Sequence, residues 1–261
     1  MKQSEFIEKR IESFERIDKI LYSKSEHIKS NFFMDYTELR KKLKTPSTPG
    51  RRRAVLVSTG SFNPVHKGHL QNIDLAAKFL SEKCGIDVLV AYISPSSDIY
   101  VSHKLGKELI PFDHRYEMVK LACDDHNSNE NLVPIIIDKW EGSQPFFVPF
   151  PQVRQYFEKT INNDFPDENL LVLYVAGADQ FNKCRLYKSC FYVGISRLGY
   201  EIHGETNKKR NIYVCKEKEY EELYSDISST AIRDAKYKGQ PIDDLTYKSV
   251  VDYLQNVVHW F

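Results

Sequence analysis

Gly60-Ser61-Phe62-Asn63-Pro64-Val65-His66-Lys67-Gly68-His69 follows directly on the apolar run Ala54-Val55-Leu56-Val57, and the order of these pieces decides the fold. The apolar run reads as a buried strand, and Gly60 as a tight turn where no Cβ obstructs a ligand. Leu70, Ile73, Ala77 and Leu80 then recur at helical spacing, which sets both histidines at a helix N-terminus. Such a terminus presents unpaired N–H groups and the positive end of the peptide dipole, so it attracts phosphate. His66 and His69 are close enough in sequence to reach one polyphosphate, and Gly68 lets the helix start pass near it. Zinc is the competing use of a histidine pair. It fails on supply, because no other His or Cys cluster has ligand spacing, and His103, His114, His126, His203 and His259 are isolated.

Far downstream, Ile227-Ser228-Ser229-Thr230-Ala231-Ile232-Arg233 supplies a second helix start carrying hydroxyls and a guanidinium. Two phosphate-binding helix starts in one α/β domain point to an enzyme that handles a nucleoside triphosphate.

Between these motifs strands and helices alternate. The expected strands are residues 54–58, 88–93, 133–137, 170–176, 191–196 and 212–215. Their apolar runs lack period-two alternation, which predicts burial on both faces and a parallel sheet covered by helices. Helical patterns follow the first strand and run over 114–124, 152–160 and 245–258. The fold class expected is therefore α/β: a doubly wound, mostly parallel Rossmann-like sheet with an N-terminal helical extension. That extension, through residue 44, repeats Phe6, Ile7, Ile11, Phe14, Ile17, Ile20 and Leu21 at helical spacing. Thr45-Pro46-Ser47-Thr48-Pro49-Gly50 breaks it. We divide the chain into an extension and linker, residues 1–50, and a catalytic domain, residues 51–261.

The 261 residues carry a formal net charge of +1, which argues against a general nucleic-acid or membrane surface. Five cysteines are scattered without a CxxC pair and read as reduced thiols. No apolar stretch approaches the roughly 20 residues that span a bilayer, and the charged N-terminus lacks the apolar core of a secretory signal. A cytoplasmic or nuclear protein is expected. Lys41-Lys42-Leu43-Lys44 with Arg51-Arg52-Arg53 faintly resembles a two-part import signal, but solvated charges flanking a linker are the favoured reading.

GSFNPVHKGH together with ISSTAIR resembles the nucleotidyltransferase superfamily of HxGH and ISSTxxR enzymes. Within it the chain is most similar to the eukaryotic-type nicotinamide/nicotinate mononucleotide adenylyltransferases. Three further passages carry the narrower resemblance: Ser94-Pro95-Ser96-Ser97-Asp98-Ile99-Tyr100 followed by Leu109-Ile110-Pro111-Phe112-Asp113-His114-Arg115; Asp138-Lys139-Trp140-Glu141; and Gly177-Ala178-Asp179. They occur in family order from about Val55 onward.

The resemblance implies that a mononucleotide 5′-phosphate attacks the α-phosphorus of ATP, giving a dinucleotide and pyrophosphate. It implies catalytic roles for His66, His69 and Arg233. ATP would be bound by these three with Gly60, Ser61, Phe62, Gly177, Asp179, Ser228, Ser229 and Thr230. The pyridine mononucleotide would meet Ser61, Phe62, Trp140, Tyr187, Arg197 and a lysine, Lys104 or Lys107. Trp140 would stack on the pyridine ring; a core tryptophan is the bland alternative. For Asp179 the bland alternative is a helix N-cap. Mg²⁺ would enter on ATP phosphates with few protein ligands, so no protein metal cage is expected. No nucleic-acid or membrane partner is expected, and homo-oligomerisation is left open.

The sequence departs from the family in three places. Eukaryotic-type relatives usually carry threonine where His66 stands. The lysine-rich run after Tyr100 is replaced by the longer Val101-Ser102-His103-Lys104-Leu105-Gly106-Lys107. The second pyridine-stacking tryptophan has no counterpart, and Tyr187 is its nearest match, which leaves preference between the amide and acid mononucleotides open. Another HxGH transferase, cytidylyl- or pantetheine-phosphate adenylyl-, is the competing enzyme; a non-catalytic nucleotide-binding or chaperone-like relative is the competing class.

Overall fold

The computed structural model describes residues 33–184, 191–196, 199–216, 218 and 227–257. The chain divides into two compact units, residues 1–34 and 35–261. The helical pattern expected over residues 6–21 lies outside the described residues.

A six-stranded sheet organises the second unit, with the order β3-β2-β1-β4-β5-β6. The strands are β1 (Arg52–Gly60), β2 (Ile86–Pro95), β3 (Ile135–Ile137), β4 (Leu171–Gly177), β5 (Tyr192–Ile195) and β6 (Ile212–Cys215). Every neighbouring pair is parallel. The described helices are α1 (Thr37–Leu43), α2 (Lys67–Cys84), α3 (Asp98–Leu105), α4 (Phe112–Asn127), α5 (Phe150–Asp164), α6 (Ala178–Cys184), α7 (Ser229–Tyr237) and α8 (Lys248–Asn256).

The missing alternation has the expected cause, since both faces of the sheet are covered. Ala54, Leu56, Ala91, Ile93, Leu173 and Val175 share one core with Leu70 and Ile73 of α2, Met118 and Val119 of α4, and Val250 and Leu254 of α8. On the other face Tyr92 lies 5.2 Å from Phe157 of α5, and Tyr174 4.8 Å from Phe150, between ring centroids. Local sequence sets the helix ends. Gly85, with φ of 67°, closes α2 in the left-handed conformation a side chain would resist. Pro151 sits in the first turn of α5, where no N–H is needed.

All six expected strands form, and the sheet is wholly parallel. Two short helices were not legible in the pattern. In α3 only Val101 is buried, too little to mark a periodicity, and the described part of α6 covers only Ala178–Cys184.

This strand order reverses direction between β1 and β4. In a doubly wound sheet the crevice outside the carboxyl ends of those strands is where ligands bind. The chain leaves β1 at Gly60 and β4 at Gly177, which brings the Gly60–His69 segment and the Gly177–Asp179 turn to that crevice.

Candidate active site

His66 is the N-cap residue of α2, with extended backbone at φ −139° and ψ 163°. Its carbonyl accepts the His69 N–H at 2.9 Å, and its own N–H donates to His69 Nδ1 at 3.1 Å. The two imidazoles stack with centroids 3.5 Å apart and planes 28° apart. Phe62 meets His69 edge-on at 4.8 Å. Because Nδ1 of His69 accepts, its proton belongs on Nε2, which makes that nitrogen a donor. Burial first, then the neighbouring positive charges of His66 and Lys104, hold His69 well below the usual histidine range. It is a neutral hydrogen-bond donor that keeps a partly accessible edge.

Gly60 also has a close neighbour in its own loop. The glycine ends β1 without a positive φ, and the left-handed residue is Phe62, at φ 44°. A Cβ at 60 would lie 3.1–3.2 Å from the Phe62 ring, so a side chain there would require that ring to give by a few tenths of an ångström. The Asn63–Pro64 peptide is cis. The loop is braced from the distant C-terminal segment. Thr246 Oγ1 donates to the Val65 carbonyl at 2.9 Å, and the Lys67 N–H donates to the Leu245 carbonyl at 3.2 Å.

The second helix start docks on the same loop. Ser229 Oγ donates to the Pro64 carbonyl at 2.8 Å, and Arg233 Nη1 donates to the Asn63 carbonyl at 3.0 Å. Ser228 is the N-cap of α7, its hydroxyl accepting the Ala231 N–H at 3.1 Å. Thr230 Oγ1 accepts from Arg233 Nη2 at 3.3 Å. Two motifs some 160 residues apart in sequence thus form one cluster at the crevice.

On the β2 side, Trp140 lies flat on Tyr156, centroids 3.9 Å and planes 3° apart. Its backbone N–H donates to Asp138 Oδ1 at 2.8 Å. Tyr156 thereby backs one face of the half-buried indole. Asp138 and Glu141 are both buried, and burial pushes their carboxyls up, to about 6 and about 8. The Ser96 and Ser94 hydroxyls and Arg115 moderate the rise at Glu141.

Arg115 has no exposed surface, and sequence reasoning gave it no role beyond a motif letter. Its guanidinium donates to the carbonyls of Ile110 at 2.8 Å, Ser61 at 2.7 Å and Ser96 at 2.8 Å, and to Asp98 Oδ1 at 2.7 Å. It ties the ends of β1 and β2 to α3. The signal that could have found it was the pairing of Asp98 with Arg115 across the two halves of one motif.

Asp179 lies exposed in the first turn of α6, beyond the end of β4, so it is not an N-cap. Behind it, Tyr174 Oη is 2.7 Å from Thr59 Oγ1 and accepts from Gln180 Nε2 at 2.7 Å, linking β1 to α6. Lys104 is exposed on α3, and Lys107 is exposed on the following one-turn helix Gly106–Glu108. Tyr187 and Arg197 lie outside the described residues. Among the described residues no three His, Cys, Asp or Glu side chains form a metal-holding group, and no helix is long and apolar enough to cross a membrane.

A parallel 3-2-1-4-5-6 sheet with histidines, hydroxyls and a guanidinium gathered at its switch point defines a doubly wound α/β domain with its polar groups at the ligand-binding crevice of that fold. The chain belongs to the cytidylyltransferase-like family, whose profile matches residues 57–235. It is similar to the nicotinamide/nicotinic acid mononucleotide adenylyltransferase of Arabidopsis thaliana, 28% identical over 229 residues, covering 80% of this chain and 90% of the relative. The Schizosaccharomyces pombe protein of the same name is 26% identical over 79% of this chain. The chain spans about 60% of the length of that relative and 58% and 55% of two Saccharomyces cerevisiae relatives. Among solved structures, Plasmodium falciparum nicotinic acid mononucleotide adenylyltransferase complexed with APC superposes with a TM-score of 0.53 at 17% identity. That match covers 78% of this chain and 95% of the other. At that identity the likeness speaks for the fold.

Proposed function

We propose that the protein transfers the AMP moiety of ATP to nicotinamide or nicotinate mononucleotide, giving NAD or its deamido form and pyrophosphate. The observation that carries this reading is the convergence of α2 and α7 on one loop. Arg233 and Ser229 bond the carbonyls of Asn63 and Pro64, three and two residues before His66. The names of the curated relatives and a P. falciparum neighbour complexed with NaAD support the choice of pyridine mononucleotide.

In this reading the α2 N-terminus, His66 and the Nε2–H of His69 hold ATP phosphates and stabilise charge developing at the α-phosphorus. Ser229, Thr230, the α7 N-terminus and Arg233 receive the β- and γ-phosphates and then the leaving pyrophosphate; Ser228 contributes by capping that helix. Gly177 and Asp179, at the carboxyl end of β4, lie where the nucleotide's ribose and base are bound. The face of Trp140 opposite Tyr156 takes the pyridine ring, and Ser61 and Phe62 lie between the two substrates. Lys104, whose charge reaches His69, is favoured over Lys107 as the phosphate-binding lysine. Roles for Tyr187 and Arg197 rest on the sequence resemblance. The chemistry needs in-line positioning and charge stabilisation, with no covalent intermediate.

Around His69 the donors are imidazoles, hydroxyls and backbone N–H groups, a set suited to phosphate oxygens rather than to a hard cation. Mg²⁺ therefore fits as an ion carried on ATP phosphates, where it neutralises charge.

The test is to incubate the protein with ATP, Mg²⁺ and each pyridine mononucleotide, and to resolve the products chromatographically. Dinucleotide and pyrophosphate in equal amounts are expected. Product only with phosphopantetheine, or with CTP and choline phosphate, would transfer the protein to another branch of the family.

A further inference from the structure

Arg233 is already engaged by an anion from its own chain. Its Nε donates to Glu108 Oε2 at 2.9 Å, while Nη1 and Nη2 are held by the Asn63 carbonyl and Thr230 Oγ1. The Glu108 backbone is fixed independently of this pair, because its carbonyl accepts Asn63 Nδ2 at 2.7 Å. Asn63 Oδ1 in turn accepts the Ile110 N–H at 2.8 Å. The segment is therefore pinned beside α7 whether or not the carboxylate is bound. The two side chains differ in exposure, 56% for Glu108 and 11% for Arg233. One partner can swing into water while the other stays in the site.

A carboxylate and a phosphate oxygen present the same acceptor chemistry to a guanidinium, so they exclude each other at Arg233 Nε. Glu108 follows directly on the Val101–Lys107 run that replaces the family's lysine-rich stretch.

We propose that Glu108 is a built-in competitor for Arg233 that lowers affinity for any nucleotide whose phosphate chain extends to α7. The proposal rests on the reading that ATP phosphates bind at Arg233. An ion pair this exposed favours its closed state by only about one- to fivefold, so a triphosphate displaces it readily. A nucleotide whose phosphates stop short of α7 leaves the pair closed and gains nothing from its removal. The competitor thus reduces the advantage of long phosphate chains over short ones and eases departure of pyrophosphate.

Calorimetric titration of ATP, AMP and inorganic tripolyphosphate into wild type, Glu108→Gln and Glu108→Ala tests this, with thermal melts confirming that each variant is folded. Tightening of ATP and tripolyphosphate by about two- to fivefold in both variants, with AMP unchanged, is the expected result. Unchanged or weaker ATP binding in the variants, with wild type binding ATP normally, overturns the inference and leaves the functional reading standing. Equal tightening of AMP overturns it as well, because a general charge effect then suffices. Wild type that binds no ATP removes the functional reading and this inference with it.

Discussion

His69 accepts the backbone N–H of His66 through Nδ1 at 3.1 Å while the two imidazoles stack 3.5 Å apart. The first histidine therefore sets the tautomer, orientation and charge of the second. Burial and the His66 ring disfavour protonation of His69, and Phe62 limits rotation of His69 from the side. The result is a rigid, neutral donor at a helix N-terminus, suited to an oxyanion that gains charge during reaction.

Replacing His69 by alanine should lower kcat by about 10²–10³-fold, the usual cost of losing a donor to developing charge, with the thermal midpoint little changed. Steady-state kinetics alongside calorimetry checks this. Near-normal turnover in a folded variant would remove His69 from the chemistry.

Trp140→Ala should raise KM for the mononucleotide about tenfold, in line with a cation–π stack partly shielded from water, and leave KM for ATP within about twofold. Equal effects on both substrates would make Trp140 a structural partner of Tyr156 only.

Arg115→Met should destabilise the fold by about 3–5 kcal/mol, because three buried carbonyls lose their donor at once. Urea denaturation measures it. A loss below about 1 kcal/mol would mean that the ends of β1 and β2 are held together by other contacts.

Glu141 supplies a pH test. Burial raises its carboxyl from 4.5 to about 8, so the folded state binds a proton that the unfolded state releases. Stability is thus fully present below pH 4.5, declines as pH rises toward 8 and is flat above it. Asp138, raised to about 6, acts in the same direction over a narrower window. Glu141→Gln should match wild type near pH 4.5 and exceed it at pH 8.5 by more than about 1 kcal/mol. Parallel stability curves for the two proteins would show that Glu141 is ionised when folded.

The sheet was legible because burial on both faces leaves an uninterrupted apolar run, as in Ala54–Val57 and Leu171–Ala176, and six such runs fix a parallel fold. The helix starts at Lys67 and Ser229 were legible because helix capping uses short contiguous segments. Arg115 and Thr246 were not, since their work is to bind carbonyls of distant loops, and a carbonyl acceptor leaves no trace in residue identity. Glu108 was hidden for a related reason: its partner Arg233 stands 125 residues away, and only the folded chain brings them together. The neighbour of Gly60 was equally hidden, because the Phe62 ring lies against it in a position that spacing does not reveal.

The decisive measurement follows the phosphorus. ATP labelled at the α-phosphorus is incubated with the protein, Mg²⁺ and nicotinamide or nicotinate mononucleotide, and the fate of the label is traced. Label recovered in a dinucleotide, with an equal amount of pyrophosphate released, is the result predicted. Label retained in ADP or AMP, with no dinucleotide from either mononucleotide, would contradict adenylyl transfer to a pyridine nucleotide.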